Sequence, residues 1–395
     1  MSAEAFQREF SMLERLFPNP HPHIVTHITS WSQKGTHYIL YPRAARNLRR
    51  HMAHHNPPSI NGVNVAWFLR QLHGLASALR SIHQVQEEFH AGIQETVQQR
   101  LATALRIVHQ VQEEFHAGIQ ETVQQRLASA LRSIQQVQEE LPAGIQETAQ
   151  QRLTGRNNHF VYGYHQDIKP ENILPFERVE GQNPVLKLSD FGAGKFHSMP
   201  KNEFDNTSQQ VSQIRGTNTY YSPEYDSKKT RPSDIWALAC VYLELMIWYS
   251  MPKSLKDFRH QRIEPSQTTP EWTDDLYWRW KPDKTKELRP AVIHYLGLLK
   301  NQFTKDADDI GRLLLNVLNL IKDCFKIDSK ERPTAEIVSD RLDKLQQEAE
   351  TLAKRVEHEV PTHSPSPSRS PSDRSDTSED RHWRSPSPRN HTFPP

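Results

Sequence analysis

His165-Gln166-Asp167-Ile168-Lys169-Pro170-Glu171-Asn172-Ile173-Leu174 puts an acid, a cation and an amide on one short polar loop, with Tyr164 before it and the apolar pair Ile173 and Leu174 at its end. A carboxylate at Asp167 can take a proton from a hydroxyl. The ammonium of Lys169 can sit beside a transferring phosphoryl group, and Asn172 offers an amide oxygen to Mg²⁺. Sixteen residues after Leu174 comes Asp190-Phe191-Gly192. The alternating run Val185-Leu186-Lys187-Leu188 just ahead of it predicts a strand, so a second carboxylate arrives at a strand end, where a metal can be held.

Three later stretches follow in order: Gly216-Thr217-Asn218-Thr219-Tyr220-Tyr221-Ser222-Pro223-Glu224, then Asp234-Ile235-Trp236 opening an apolar helix, then Arg332-Pro333-Thr334 near the start of a late helix. Together the five stretches resemble the eukaryotic-type serine/threonine protein kinase family, as a fungal-like member. Ser222 stands where that family more often has Ala. The resemblance implies Asp167 as the base that orients the substrate hydroxyl, Lys169 as the γ-phosphate contact, and Asn172 and Asp190 as Mg²⁺ ligands. ATP and Mg²⁺ are thereby the implied cofactors, and a protein is the implied substrate. His165, Phe191 and Gly192 take supporting places, Asp234 braces the catalytic-loop backbone, and Glu224 forms a buried salt bridge with Arg332. Lys169-Pro170-Glu171-Asn172 is the pattern of serine/threonine rather than tyrosine kinases, and Thr217 matches the threonine that supports Asp167. Gln166 replaces the family's Arg before the catalytic Asp, so a phosphate on Thr207, Ser208 or Ser212 has less to pair with.

The bulk properties bound the alternatives. The 395-residue chain has room for one two-lobed domain plus extras. Its 49 basic against 47 acidic residues give no electrostatic case for nucleic acid or membrane as a main partner. Cys240 and Cys324 lie in apolar helical patterns and read as buried thiols. The N-terminus shows no secretory pattern, and the run Trp236 to Trp248 is too short to span a bilayer and contains Glu244. The expected location is intracellular, cytoplasmic or nuclear.

Upstream, Phe6, Phe10, Leu13 and Leu16 are spaced three or four apart, predicting a helix over Ala3 to Phe17 ahead of a Pro-rich corner. It resembles the regulatory helix of the small lobe, with Glu9 as the helix acid and Leu13 one turn later. His21, His23 and His27 belong to a His-Pro-His-Ile-Val corner that is ordinary for the family, and no zinc is expected there. Two strands are predicted at Val25 to Trp31 and Thr36 to Tyr41. Tyr41-Pro42-Arg43-Ala44 then falls where the adenine-contacting hinge would be: Pro42 keeps a carbonyl acceptor and Ala44 an N–H donor, and the resemblance places Leu174 on the same nucleotide. The family's glycine-rich loop and its strand Lys are not found ahead of Glu9, so a small lobe truncated before the regulatory helix is expected, with an exposed sheet edge.

A helix is predicted from Asn64 to His83, then an internal repeat of period 26: Leu75 to Arg100, Leu101 to Arg126, Leu127 to Arg152. Apolar steps of about 3.7 residues favour a weak right-handed wrap, giving a coiled-coil arm of up to about 100 Å, open to a helical partner, or else a passive insert. Pro142 predicts a break. Further helices are expected at Asp234 to Trp248, Ala307 to Phe325 and Pro333 to Leu352, with loop and short helices over Gln261 to Glu287. The Ser/Pro/Arg-rich tail cannot bury a core. The expected architecture is α+β and protein-kinase-like: truncated small lobe 1–44, start of a mainly helical large lobe 45–83, inserted helical repeat arm 84–155, rest of the large lobe 156–352 and disordered tail 360–395. The expected activity is serine/threonine phosphorylation; the alternative is a non-catalytic pseudokinase or helical-repeat scaffold.

Overall fold

The computed structural model describes residues 3–16, 20–84, 159–177, 182–200, 218–225, 230–267, 271–305 and 308–359. The repeat segment beyond Gln84, the residues Thr207, Ser208, Ser212 and Thr217, and the 360–395 tail lie outside them.

Helix α1 (Ala3–Leu16) follows the three-and-four spacing, burying Met12, Leu13 and Leu16. Strands β1 (Thr29–Gln33) and β2 (Thr36–Leu40) form an antiparallel hairpin, Thr29 opposite Leu40 and Gln33 opposite Thr36. Its turn places Lys34 and Gly35 at φ 50° and 76°, the left-handed pair that suits a tight hairpin. The first strand begins at Thr29 rather than Val25. The reason is a competing partner: Ile24 bridges Leu188, and the Val25 N–H donates to the Leu188 carbonyl at 2.8 Å.

Short α2 (Leu48–His54) starts at Asn47, whose side chain accepts from the Arg50 N–H, and α3 (Gly62–His83) starts at Asn61, which accepts from Asn64 N–H. Strand β3 (His159–Tyr164) pairs with β6 (Lys195–Pro200), and β4 (Ile173–Phe176) with β5 (Val185–Leu188), both antiparallel. Helix α4 (Arg231–Ser250) begins three residues before the expected Asp234, because Thr230 and Ser233 form a capping box and Pro232 suits the first turn. It is buried from Asp234 to Tyr249 and forms the axis of the core.

The stretch Gln261 to Glu287 corrects the expectation of loop with short helices. After α5 (Leu255–Gln261) come two small antiparallel ladders: β7 (Glu264–Pro265) with β8 (Thr273–Asp274), and β9 (Trp278–Trp280) with β10 (Lys286–Leu288). Buried Arg289 ties them down by donating to the Arg262 and Asp274 carbonyls. Helices α6 (Pro290–Lys305), α7 (Asp309–Cys324) and α8 (Ala335–Glu359) complete the set. Helix α8 runs on past Leu352 along α3, with Arg80 paired to Glu336 and Asp340 and Arg70 to Glu350. Cys240 and Cys324 are buried free thiols. Among the described residues, no helix is long and apolar enough to cross a membrane.

Candidate active site

The loop between β3 and β4 is built around one buried carboxylate. Asp234 accepts from the N–H groups of His165 and Gln166, each at 2.8 Å, and lies 3.0 Å from His83 Nε2. With two successive amides donating to the two oxygens of one carboxylate, Gln166 sits at φ 66°, a left-handed conformation that costs free energy and is held by this pair of hydrogen bonds. Burial lowers the pKa of His83 despite the attraction of Asp234.

Above that brace, Asp167 Oδ2 accepts from Lys169 Nζ at 2.7 Å and from Asn172 Nδ2 at 2.8 Å. Asn172 Nδ2 also reaches the Asp167 carbonyl at 2.9 Å. The register of β4 and β5 sets Ile173 opposite Leu188, and the Ser189 N–H donates to the Asn172 carbonyl at 2.9 Å. Asn172 and Asp190 therefore emerge from the same end of one hairpin. Asp190 sits at φ 63° with Oδ1 3.3 Å from the Gly192 N–H. Phe191 is fully buried, its ring 5.1 Å from that of His165, while His165 Nε2 lies 3.1 Å from the Ser189 carbonyl.

This donor set fits a hard cation. With Asn172 Nδ2 committed to Asp167, its Oδ1 takes no hydrogen bond among the described residues, and neither does Asp190 Oδ2. Two oxygens from one hairpin end suit Mg²⁺, which keeps waters and substrate phosphates for its remaining positions.

Of the other expected nucleotide contacts, Leu174 lies on β4 and Glu9, Tyr41, Pro42 and Ala44 in the first elements of the chain. Leu174 is half-buried on β4, Pro42 is exposed and Ala44 half-buried in the connection to α2. Tyr41 instead donates its hydroxyl to Glu9 Oε1 at 2.5 Å. Burial raises the pKa of Glu9; the Tyr41 hydrogen bond opposes that rise and the negative charge of Asp190 adds to it. Among the described residues no Lys or Arg pairs with Glu9. Leu13, one turn on, is buried in the core.

The far side of the loop is fixed by two ion-pair systems. Arg332 forms a two-pronged pair with Glu224, 2.7 Å at each prong, and also donates to the Lys326 and Pro232 carbonyls. The second system was not foreseen: Glu244, fully buried in α4, accepts from Arg259, Tyr220 and Tyr277 and faces Arg262. Burial alone would raise its pKa, but Arg259 and Arg262 bring it below the ordinary value. The signal was a lone acid inside the apolar run Trp236 to Trp248. Asp167 borders a cavity of about 30 Å³ also lined by Tyr221, Ser222 and Tyr225. A larger groove of about 480 Å³ between α7 and α8 contains none of these residues.

A family model described as protein kinase domain matches residues 119–341, more than half of the chain and all of the Asp167 to Arg332 arrangement; α1 to α3 precede it. Among curated proteins, the dual specificity protein kinase zak2 of Dictyostelium discoideum is 39% identical over 85 residues, 21% of this chain and 12% of that protein. Mitogen-activated protein kinase 10 of Oryza sativa subsp. japonica is 27% identical over 184 residues, 45% of this chain and 27% of that protein. MAP kinase kinase kinase wis4 of Schizosaccharomyces pombe is 26% identical over 185 residues, 45% of this chain and 10% of that protein. The chain thus spans from about a tenth to about a quarter of the length of these relatives.

Proposed function

The chain belongs to the protein kinase domain family, and from that premise we infer that it transfers the γ-phosphoryl group of ATP to serine or threonine hydroxyls of a protein substrate. The observation that carries this is the convergence on Asp167: Lys169 and Asn172 share one of its carboxylate oxygens, while Asn172 and Asp190 leave the same end of the β4–β5 hairpin. Asp167 orients the acceptor hydroxyl and takes its proton; the small cavity against Tyr221 leaves room for that group. Lys169 neutralises charge on the transferring phosphoryl group. Asn172 and Asp190 would hold Mg²⁺, which when bound neutralises the phosphates. Serine or threonine as acceptor is supported by the sequence Lys169-Pro170-Glu171-Asn172.

A second reading, a nucleotide-binding scaffold without turnover, is favoured by one observation. Glu9 is bonded to the neutral hydroxyl of Tyr41 rather than to a cation that could also hold phosphates. The test is phosphate incorporation into a generic protein substrate by the purified chain with Mg²⁺ and ATP, beside Asp167→Asn and Asp190→Asn. Incorporation on serine or threonine that falls about a hundredfold or more in each variant is expected for catalysis by this site. Incorporation unchanged by both substitutions refutes it; no incorporation despite MgATP binding selects the scaffold.

A further inference from the structure

From Arg15 to Gln86 the sequence holds eight Lys and Arg and no Asp or Glu. Four of these, Arg43, Arg46, Arg49 and Arg50, fall within eight residues at the start of α2. Helix α2, which carries Arg49 and Arg50, packs against the Pro170–Asn172 turn and β4, so this end of the cationic rim borders the Asp167 loop. Arg49 reaches Glu171 at 3.3 Å. Arg43 and Arg50 are exposed and Arg46 half-buried, and among the described residues none of these three has a carboxylate partner. Arg70 and Arg80, by contrast, are paired to α8. Like charges held this close repel one another, and an anionic segment laid across them relieves that repulsion.

The chain carries such a segment. All four carboxylates of residues 360–395 lie within Ser372-Asp373-Arg374-Ser375-Asp376-Thr377-Ser378-Glu379-Asp380. Its tether starts near the rim: the Ala353 backbone lies against Gly62, the first residue of α3, and Gly62 follows the end of α2 by eight residues, a separation of at most about 28 Å. Six more residues carry α8 about 9 Å beyond Ala353. The twelve residues from Val360 to Pro371, four of them Pro, span about 37 Å when extended, which matches the about 9 Å beyond Ala353 plus the at most about 28 Å from Gly62 to His54, and the nine residues of the acidic segment reach about 30 Å further along α2 toward Arg50, Arg46 and Arg43. A tether of this length holds its end at an effective concentration near the millimolar range, so a weak electrostatic contact is populated in cis.

We propose that Arg43, Arg46 and Arg50 form a docking surface for an acidic, serine- and threonine-bearing polypeptide segment beside the Asp167 loop, and that residues 372–380 of this chain occupy it. The docking needs no nucleotide and no turnover, so it stands or falls separately from phosphoryl transfer.

The test uses the full chain without nucleotide and a dye-labelled peptide copying Ser372–Asp380, followed by fluorescence anisotropy at low salt. Three proteins are compared: the unaltered chain; a tail-neutralised chain carrying Asp373→Asn, Asp376→Asn, Glu379→Gln and Asp380→Asn; and that chain with Arg43→Glu and Arg50→Glu added, its fold checked by thermal melting. Freeing the rim should tighten peptide binding about tenfold or more over the unaltered chain, and reversing the two exposed charges should remove that gain. Equal affinity for the first two proteins, or affinity unchanged by the charge reversals, overturns the proposal. A nine-nucleotide oligouridylate that binds the rim more tightly than the peptide also overturns it and assigns the surface to nucleic acid.

Discussion

In the β4–β5 hairpin Ile173, Leu186 and Leu188 are buried, Ile24 bridges its edge, and Gln71 and Trp67 of α3 hydrogen-bond the Leu186 N–H and the Pro184 carbonyl. The β1–β2 hairpin is of similar length but is covered on one face alone, where Phe6 of α1 stacks on His37 and Ile39 packs on the core. Its other face leaves Trp31, Tyr38 and Leu40 exposed, with Trp31 and Tyr38 stacked across the strands at 5.1 Å. A two-stranded hairpin is marginal alone, and its order depends on what covers it. The half of the candidate site holding Asn172 and Asp190 is therefore fixed by the large helical body, whereas the half holding Tyr41 and Glu9 rests on α1 and one hairpin face.

The contrast can be broken first at Asp234. Asp234→Ala strands two buried amides and His83, and should cost about 3–5 kcal/mol in urea unfolding; a cost below about 1 kcal/mol would mean that the loop is held by something else. Arg332→Ala removes the two-pronged cation from Glu224, which keeps the Ser233 hydroxyl and is partly solvated, so about 2–3 kcal/mol is expected. Acid sharpens the comparison next. Burial brings His21 and His51 down to about 4, below their ordinary value of 6.5, with His23 and His55 as the next cause of each. The unfolded chain binds more protons than the folded one between these values, so the urea midpoint should fall as pH drops from 6.5 toward 4. His21→Asn with His51→Asn should flatten that fall, and an unaltered pH dependence would remove these imidazoles as its source. The smallest effect belongs to the exposed face: a double-mutant cycle on Trp31→Ala and Tyr38→Ala should give about 0.5 kcal/mol of coupling. Coupling above about 2 kcal/mol would show that this hairpin is as firmly held as its counterpart.

Much of the candidate site's geometry was legible because its residues are local: Asp167, Lys169 and Asn172 fall on one loop, and the strand pattern of Val185 to Leu188 placed Asp190 at a strand end. The partners of Asp234 and Arg332 followed from the family resemblance, not from spacing. What stayed hidden depends on contacts between residues far apart in sequence. Tyr41 carries nothing in its neighbourhood that points to Glu9, 32 residues away. Glu244 was visible as an acid in an apolar run, but its ring of Tyr220, Arg259, Arg262 and Tyr277 is assembled from three separate segments. The ladders between Arg262 and Leu288 were missed because strands of two or three residues are too short to show a period.

The central claim is that one hairpin end presents Asn172 and Asp190 to a metal-bound nucleotide beside Asp167. Calorimetric titration of ATP into the chain, with and without Mg²⁺, and into Asp190→Asn tests it most directly. Binding should require Mg²⁺ and weaken about tenfold or more in Asp190→Asn, while Asp167→Asn still binds. Binding of equal strength without Mg²⁺ and undiminished by Asp190→Asn would contradict it.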